Sequence, residues 1–321
     1  MSHRVLLVGL GQVGMGYDFD LAASEMVLSH ANAFVGHPDF KVVGGVDPDP
    51  KACARFLRRY GIKASGDLVE SLITLKPEII VIASPTQCHA ECVRLALHNA
   101  KPRLILCEKP LASTLEDAED IVAACRAAGC KLYVNYMRRV EPGVQEVKRR
   151  LMDGRIALPL KGTLWYSKGL LHNGSHFSNL LEFWLGPVES FKIINSGHFL
   201  NNQDIQPDVH VKFEAGEISF LAAHEGHFSH HEIQLVAPNG CLRYEQGGAT
   251  IRWQSVTKDP QFPRYNVLSI LGEKIPTESY KLQLHVANNV SACLSEHHSY
   301  LCSGDDALET LKALMKIKVK L

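Results

Sequence analysis

Gly9-Leu-Gly11-Gln12-Val13-Gly14 follows directly on the apolar run Val5-Leu-Leu-Val, and glycines at that spacing form the G-x-G-x-x-G pattern of a dinucleotide-binding turn. Glycine permits the tight turn and lets backbone N–H groups approach a pyrophosphate at a helix N-terminus, where the helix dipole favours anions. Alone the pattern is a weak signal; a preceding strand and a following βαβ pattern strengthen it. Asp47, in Gly44-Gly-Val-Asp47-Pro-Asp49, is the acidic residue at the end of the second strand. It would accept the ribose hydroxyls and repel a 2′-phosphate, which favours NAD over NADP. Asp47 stands 33 positions after Gly14, against a usual spacing of about 20. The surplus is the segment Met15 to Val27, with the helix body expected from His30. The other reading of Asp47 is part of a helix-capping loop. The inserted segment, with Tyr17, Asp18 and Asp20, reads either as a lid or pocket wall beside the phosphate-binding turn or as a surface loop.

These residues need a scaffold, and the chain supplies one in two halves. From Arg4 to Tyr136, short β-type runs alternate with helical patterns: Val5-Leu-Leu-Val, Phe40 to Val46, Ile79-Ile-Val-Ile, Leu104-Ile-Leu-Cys and Lys131-Leu-Tyr-Val. Strands separated by helices imply parallel βαβ units, and packing on both faces explains why the strands are apolar throughout. Asp49 with Pro50 reads as a helix start, as does Ser113 with Glu116 in a capping box whose helix ends at Gly129. After a helix around Gly143 to Asp153 the period changes. Lys161 to Tyr166, Asp208 to Phe213, Glu217 to Leu221 and Glu232 to Val236 alternate polar with apolar, as a sheet with one wet face does. Two helical stretches close the chain, the last opened by Ser303 with Asp306. The expected architecture is an α/β Rossmann domain with a doubly wound parallel sheet over 1–137, followed by an α+β domain with a large, mainly antiparallel open sheet over 138–321.

Composition narrows the function classes. The 321 residues are 46% hydrophobic and carry 34 basic against 34 acidic side chains, so no positive field favours nucleic acid or an anionic bilayer. No apolar run approaches the roughly 20 residues of a membrane span. Nine cysteines without a Cys-x-x-Cys pair suggest neither a disulfide framework nor a zinc ribbon, and a reducing cytoplasm is the expected location. Sixteen histidines are a surplus to be explained.

At Glu108-Lys109-Pro110, after Leu104-Ile-Leu-Cys, the sequence resembles the glucose-fructose oxidoreductase, inositol dehydrogenase and MocA family. The same order of motifs includes Ser84-Pro-Thr86-Gln-Cys-His89-Ala, Asn135-Tyr-Met-Arg-Arg139, His172-Asn-Gly174-Ser-His176 and Cys302-Ser-Gly-Asp-Asp-Ala. The resemblance implies an N-terminal Rossmann domain, a C-terminal sheet that builds a homodimer or homotetramer, and nicotinamide-dependent oxidation or reduction of sugars, polyols or nucleotide-sugars. It assigns to the cofactor Gly9, Gly11, Gln12, Val13, Gly14 and Asp47, together with Ser84, Thr86, His89, Glu108, Lys109 and Asn135. It also implies that Lys109 points into the active site, that the Lys109–Pro110 peptide is cis, and that Glu108 lies near the cofactor ribose.

A lysine there has a physical rationale, since a cation beside the reacting oxygen stabilises alkoxide character as hydride leaves carbon. The family's second cluster resembles Asp-x-Gly-x-His, its Asp supporting a His that moves the hydroxyl proton. Here the His is His176, whereas the Asp position holds His172 and Asn179 stands where an Asp often follows. His176 suits proton transfer in both directions. Losing a carboxylate neighbour retunes that transfer, shifts it to Lys109, or abolishes activity. Arg139 and Tyr166 join Lys109, His172 and His176 as candidate substrate contacts. His172 and His176 as a metal pair is disfavoured, because Gly174 intervenes and no third ligand follows from the sequence; no metal is expected. His224, His227, His230 and His231 match no ligand spacing and read as surface or interface residues. Cys88 and Cys107 lack an identifiable base. The leading function is an NAD-dependent dehydrogenase or reductase acting on CH–OH groups of a small carbohydrate-type substrate; the alternative is a non-catalytic dinucleotide-sensing protein of the same fold.

Overall fold

The structure is a computed structural model that describes residues 2–21, 26–200, 204–223 and 227–321. The chain divides into two compact units: residues 1–140 with Tyr280–Leu308, and Glu141–Ser279 with Glu309–Leu321. A single cut after residue 137 therefore does not describe it. Tyr280–Leu308 returns to the first unit because Val286, Ala287, Val290 and Leu294 bury their side chains in the core that contains Phe34 and Val140.

In the first unit, β1 (His3–Val8), β2 (Phe40–Val46), β3 (Ala64–Ser65), β4 (Ile79–Ile82), β5 (Leu104–Cys107) and β6 (Lys131–Val134) form a parallel sheet in the order β3-β2-β1-β4-β5-β6. This is the doubly wound order whose carboxyl edge at β1 and β4 is the topological switch point for ligands. Cys302–Ser303 adds an antiparallel edge to β6. The central strands β4 and β5 are buried at every residue, as the continuous apolar runs require. The strands are joined by α1 (His30–Val35), α2 (Pro50–Tyr60), α3 (Leu68–Leu75), α4 (His89–Asn99) and α5 (Leu115–Ala127). Asp49 caps α2 by accepting from Lys51 N at 2.9 Å, with Pro50 at its first position. The cap of α5 is Thr114, one residue later than the sequence suggests, with Asp117 N donating to its hydroxyl at 3.1 Å. Threonine and aspartate make the same three-residue box as Ser113 and Glu116 would.

In the second unit, α6 (Pro142–Met152) and α7 (Ser175–Leu185) cover one face of a sheet. Its strands are β7 (Leu160–Tyr166), β8 (Val188–Asn195), β11 (Asp208–Phe213), β12 (Gly216–Ala222), β13 (Glu232–Ala237), β14 (Gly240–Glu245), β15 (Thr250–Lys258), β16 (Asn266–Leu268) and β17 (Glu273–Ile275), with β9 (Phe199–Leu200) and β10 (Asp204–Ile205) as a separate pair. All neighbours run antiparallel except β7 with β12. Val209, Val211, Phe213, Ile218, Phe220, Ile233 and Leu235 point to the covered face, which is what the period-2 pattern predicts. No helix among the described residues is long and apolar enough to cross a membrane.

Arg150 of α6 locks β17 in place, its guanidinium meeting Glu273 at 2.5 and 2.6 Å and Glu146 at 2.7 Å. The Arg150 hydrogen bonds hold the Glu273 carboxyl below its usual range. At Glu146 burial pushes upward, but hydrogen bonds from Arg150 and Arg149 outweigh it and the net shift is down. A carboxyl with a lowered folded pKa contributes stability above its unfolded pKa, about 4.3 for Glu, and loses it as pH falls through the folded value. Glu141 acts in the opposite sense, because burial raises its pKa against hydrogen bonds from Glu278 N and Val144 N. The comparison must therefore isolate Arg150. Thermal unfolding between pH 7 and pH 3 should show Arg150→Met losing less stability on acidification than the parent chain; parallel curves would refute the role of this network.

Candidate active site

The carboxyl edge of the first unit is built on three glycines with different duties. Gly9 has φ +92°, and a Cβ there would lie 2.5 Å from the backbone of Ala83 and Ser84; a Cβ on Gly14 would lie 2.1 Å from the Gly9 carbonyl oxygen. Both are demanded by the packing of the turn against β1 and β4. Around Gly11, by contrast, an added Cβ would meet nothing within 4 Å. The space over that backbone is open at the point where a phosphate approaches in this fold, so the turn fits a dinucleotide. Gln12 and Val13 begin a wide π-helical turn, Gln12–Gly16, closed by Met15 N and Gly16 N donating to Gly11 O at 2.9 and 3.0 Å. The usual long helix is interrupted after this one turn, and α1 starts at His30, where the sequence places it.

Asp47 sits at the end of β2 with Oδ2 accepting from Leu10 N at 2.8 Å and Oδ1 from Asp49 N at 2.9 Å. The carboxylate ties the loop before α2 to the glycine turn, and a carboxylate has further lone pairs with which to accept from a ribose. Ser84 and Thr86 follow β4, with the Ser84 backbone beside Gly9. His89 is fully buried, with Nε2 2.9 Å from Ser84 O and Nδ1 3.1 and 3.2 Å from Pro110 O and Leu111 O. Its ring is committed to carbonyl oxygens, so it shapes the loop and presents nothing to a ligand.

Next along the edge lies a polar cluster. Glu108 Oε1 receives Asn135 Nδ2 at 2.6 Å and faces His30 Nε2 at 2.9 Å, while Asn135 Nδ2 also lies 3.3 Å from Gln283 Oε1. Burial alone would push the Glu108 carboxyl up, but the hydrogen bonds and charge around it, His30 first, bring it below its ordinary value. Lys109 is half-buried at the next position, and its peptide bond to Pro110 is cis, as the resemblance implies. Arg139 is buried and pairs with Asp306 at 2.8 Å, a structural anchor for the turn Met137–Val140.

In the second unit, Tyr166 is fully buried in the core, and its hydroxyl donates to Pro207 O at 2.6 Å. Burial pushes that hydroxyl's pKa far up. The expectation that Tyr166 contacts substrate is corrected: its position on β7 points at the covered face. His172 is exposed on the π-helical turn Gly169–Gly174, and His176 is buried in the first turn of α7. The two are thus on different elements, not on one helix face. Asp204 fixes the turn by accepting from Leu171 N at 3.0 and 3.1 Å and from His172 N at 2.8 Å. Asn179 is buried and donates to Thr310 Oγ1 at 2.9 Å, an internal link with no exposed polar group. His231 is half-buried, stacks on Phe177 with centroids 5.3 Å apart and lies 3.1 Å from Asn173 Nδ2, on the α7 side of this unit. His224 lies outside the described residues.

Residues 3–136 match the model of the GFO/IDH/MocA family, an oxidoreductase family with an NAD-binding Rossmann fold. The match lies within the first unit, whose sequence is similar to this family's Rossmann domain. Inositol 2-dehydrogenase of Rubrobacter xylanophilus is 32% identical over 213 residues, 66% of this chain and 56% of that protein. The scyllo-inositol 2-dehydrogenase (NAD(+)) of Bacillus subtilis is 26% identical over 288 residues, 80% of this chain and 77% of that protein. The chain thus aligns with little more than half the length of the first of these relatives. Among solved structures, the WlbA dehydrogenase of Bordetella pertussis in complex with NADH and UDP-GlcNAcA superposes with a TM-score of 0.77 at 19% identity, covering 99% of this chain and 95% of that one. That likeness shows a shared fold over nearly the whole chain.

The contacts of four residues were not read from the sequence: His30, Gln283, Asp204 and His231. His30 had a usable signal, because it opens the helix that resumes after the inserted segment. The other three act through partners 32 to 148 positions away, and no local pattern reports such a partner.

Proposed function

We propose that this chain is an NAD-dependent dehydrogenase or reductase acting on a secondary alcohol or ketone of a sugar, polyol or nucleotide-sugar. The observation that carries the reading is Lys109 directly following a half-buried, hydrogen-bonded Glu108, on the same sheet edge as the Gly9–Gly14 turn. Gly9, Gly11, Gln12, Val13, Gly14, Asp47, Ser84, Thr86, Glu108 and Asn135 would hold NAD. When bound, that group supplies the two-electron hydride chemistry. Lys109 would place its ammonium at the substrate oxygen and stabilise the alkoxide as it develops. His176 would take or return the hydroxyl proton, with His172 on the adjoining turn contacting substrate in place of the family's carboxylate. The names of the relatives, inositol dehydrogenases among them, support a polyhydroxylated substrate.

His176→Ala should reduce turnover by about 10²-fold or more while NADH binding, followed by fluorescence titration, stays within about threefold. Unchanged turnover would remove His176 from the mechanism. The exposed His172 in the carboxylate position favours a second reading, a dinucleotide-sensing protein without chemistry. Absorbance at 340 nm with NAD or NADH against inositols, aldoses and nucleotide-sugars separates the two, since the sensor binds NADH and turns over nothing. The proposal includes a cytoplasmic homodimer or homotetramer formed through the sheet of the second unit, measurable as mass by light scattering.

A further inference from the structure

We propose that His30 is a positioning residue for Lys109, and that the segment inserted before it serves to deliver its ring to Glu108. The inference deepens the reading of Lys109 as the residue at the substrate oxygen and rests on it. A carboxylate oxygen can only accept hydrogen bonds, so the His30 Nε2 that faces Glu108 Oε1 at 2.9 Å carries the proton. With Asn135 Nδ2 on the same oxygen at 2.6 Å and Lys109 N 3.3 Å from Oε2, the carboxylate is gripped from both sides. His30, Asn135 and Gln283 are each at most 2% exposed, and Glu108 sits among them with little contact with water. At such a site a carboxylate that loses a donor must turn to find another, because an unpaired buried charge is costly. Glu108 Oε2 accepts from the Lys109 backbone N–H at 3.3 Å, so a turn of the carboxylate acts on the peptide that carries Lys109.

The inserted segment makes this grip possible. Asp18 is fully buried, and its Oδ2 accepts from Leu28 N at 2.7 Å and Ser29 N at 3.1 Å, the two residues before His30. Its carbonyl accepts from Asn32 Nδ2 at 3.3 Å, and Asn32 in turn receives the Tyr60 hydroxyl at 2.8 Å. Phe19 lies under Arg55 at 4.5 Å, and Leu21 O accepts from Arg59, which ties the segment to α2. His30 Nδ1 and Asn135 Oδ1 are buried without a hydrogen-bond partner among the described residues. The ring packs near Phe34 at 6.3 Å between centroids, and its hydrogen bond to Glu108 aims Nε2 at the carboxylate. Asp18 turned inward is a strut under α1, not a group offered to a ligand.

The test uses His30→Leu, which keeps much of the volume without the donor, and His30→Gln, which restores an N–H of similar reach. Trace acetylation of lysines in the full-length protein, quantified peptide by peptide, reads the surroundings of Lys109 without any substrate. We expect His30→Leu to change the Lys109 labelling rate at least about threefold with other lysines unmoved, and to lower kcat about 10- to 100-fold. The NADH Kd should stay within about threefold, and His30→Gln should return labelling and kcat toward the parent. Should His30→Leu fail to fold, Glu108→Gln weakens the same bond without changing volume, and the labelling shift is read there. Parent-like Lys109 labelling in the folded variant overturns the proposal. So does a loss of NADH affinity that matches the loss of kcat, since His30 would then shape the cofactor site. If the parent chain turns over no alcohol or ketone, the functional reading fails on its own, and the labelling still decides the place of His30.

Discussion

Lys109→Ala should lower kcat with the best polyol or sugar substrate by about 10²- to 10⁴-fold, the largest single effect expected in this chain, while the NADH Kd stays within about threefold. The asymmetry follows from position. Lys109 comes one residue after Glu108, whose carboxylate is already held by His30 and Asn135. Removing the lysine side chain therefore leaves both the sheet edge and the glycine turn intact. On the proposed reading, what is lost is a cation at an oxygen whose negative charge grows only as the reaction proceeds, so the loss should fall on kcat and not on ground-state binding. Lys109→Arg separates two parts of that role. Arginine keeps the charge but does not exchange its proton near neutrality, so it should recover a share of the electrostatic term and leave the pH dependence of turnover flattened on its basic side. Stopped-flow absorbance at 340 nm with a parallel fluorescence titration measures both numbers. Turnover by Lys109→Ala within tenfold of the parent would exclude lysine from the chemistry.

The second large effect divides the glycines. Gly11→Ala should leave the melting temperature within about 2 °C of the parent and weaken NADH by about 100-fold, because the new methyl group meets no protein atom within 4 Å and fills the space in which the pyrophosphate is expected. Gly11 also has φ −75°, which alanine adopts without strain. Gly14→Ala places a Cβ 2.1 Å from the Gly9 carbonyl oxygen, so the turn itself must move. Loss of stability of about 1–3 kcal/mol, the range for overpacking a tight site, should accompany the loss of binding. Calorimetry and titration on both variants check the contrast. Equal destabilisation of the two would mean that the second glycine serves the fold, and the open space above it would lose its meaning as a cofactor site.

The Rossmann unit was readable because its signals are local. Strand runs such as Ile79–Ile82 are apolar at every position and buried at every position. The α2 cap needs only Asp49 and Pro50, and Ser303 caps the last helix by accepting from Asp306 N three residues away. The period-2 pattern likewise placed Val209, Val211 and Phe213 on one face of the second sheet. Tyr166 shows where that logic ends. The alternation correctly placed it on a strand, yet whether its hydroxyl met substrate or Pro207 O depended on which face the helices covered. Arg139 and His89 follow the same rule: their partners, Asp306 and the carbonyls around Pro110, lie elsewhere in the chain.

Local composition and spacing by themselves determined the two kinds of sheet, the glycine turn with Asp47 at the next strand end, and the strand-end lysine. Each of these is set by backbone geometry within a few residues or by a fixed periodicity. Only the tertiary structure decided that residues 280–308 return to the first unit, that Asp18 turns inward, and that His30 reaches Glu108 across 78 positions. Buried polar groups must find partners wherever the folded chain brings them, and that pairing is a property of three-dimensional packing that no sequence period encodes.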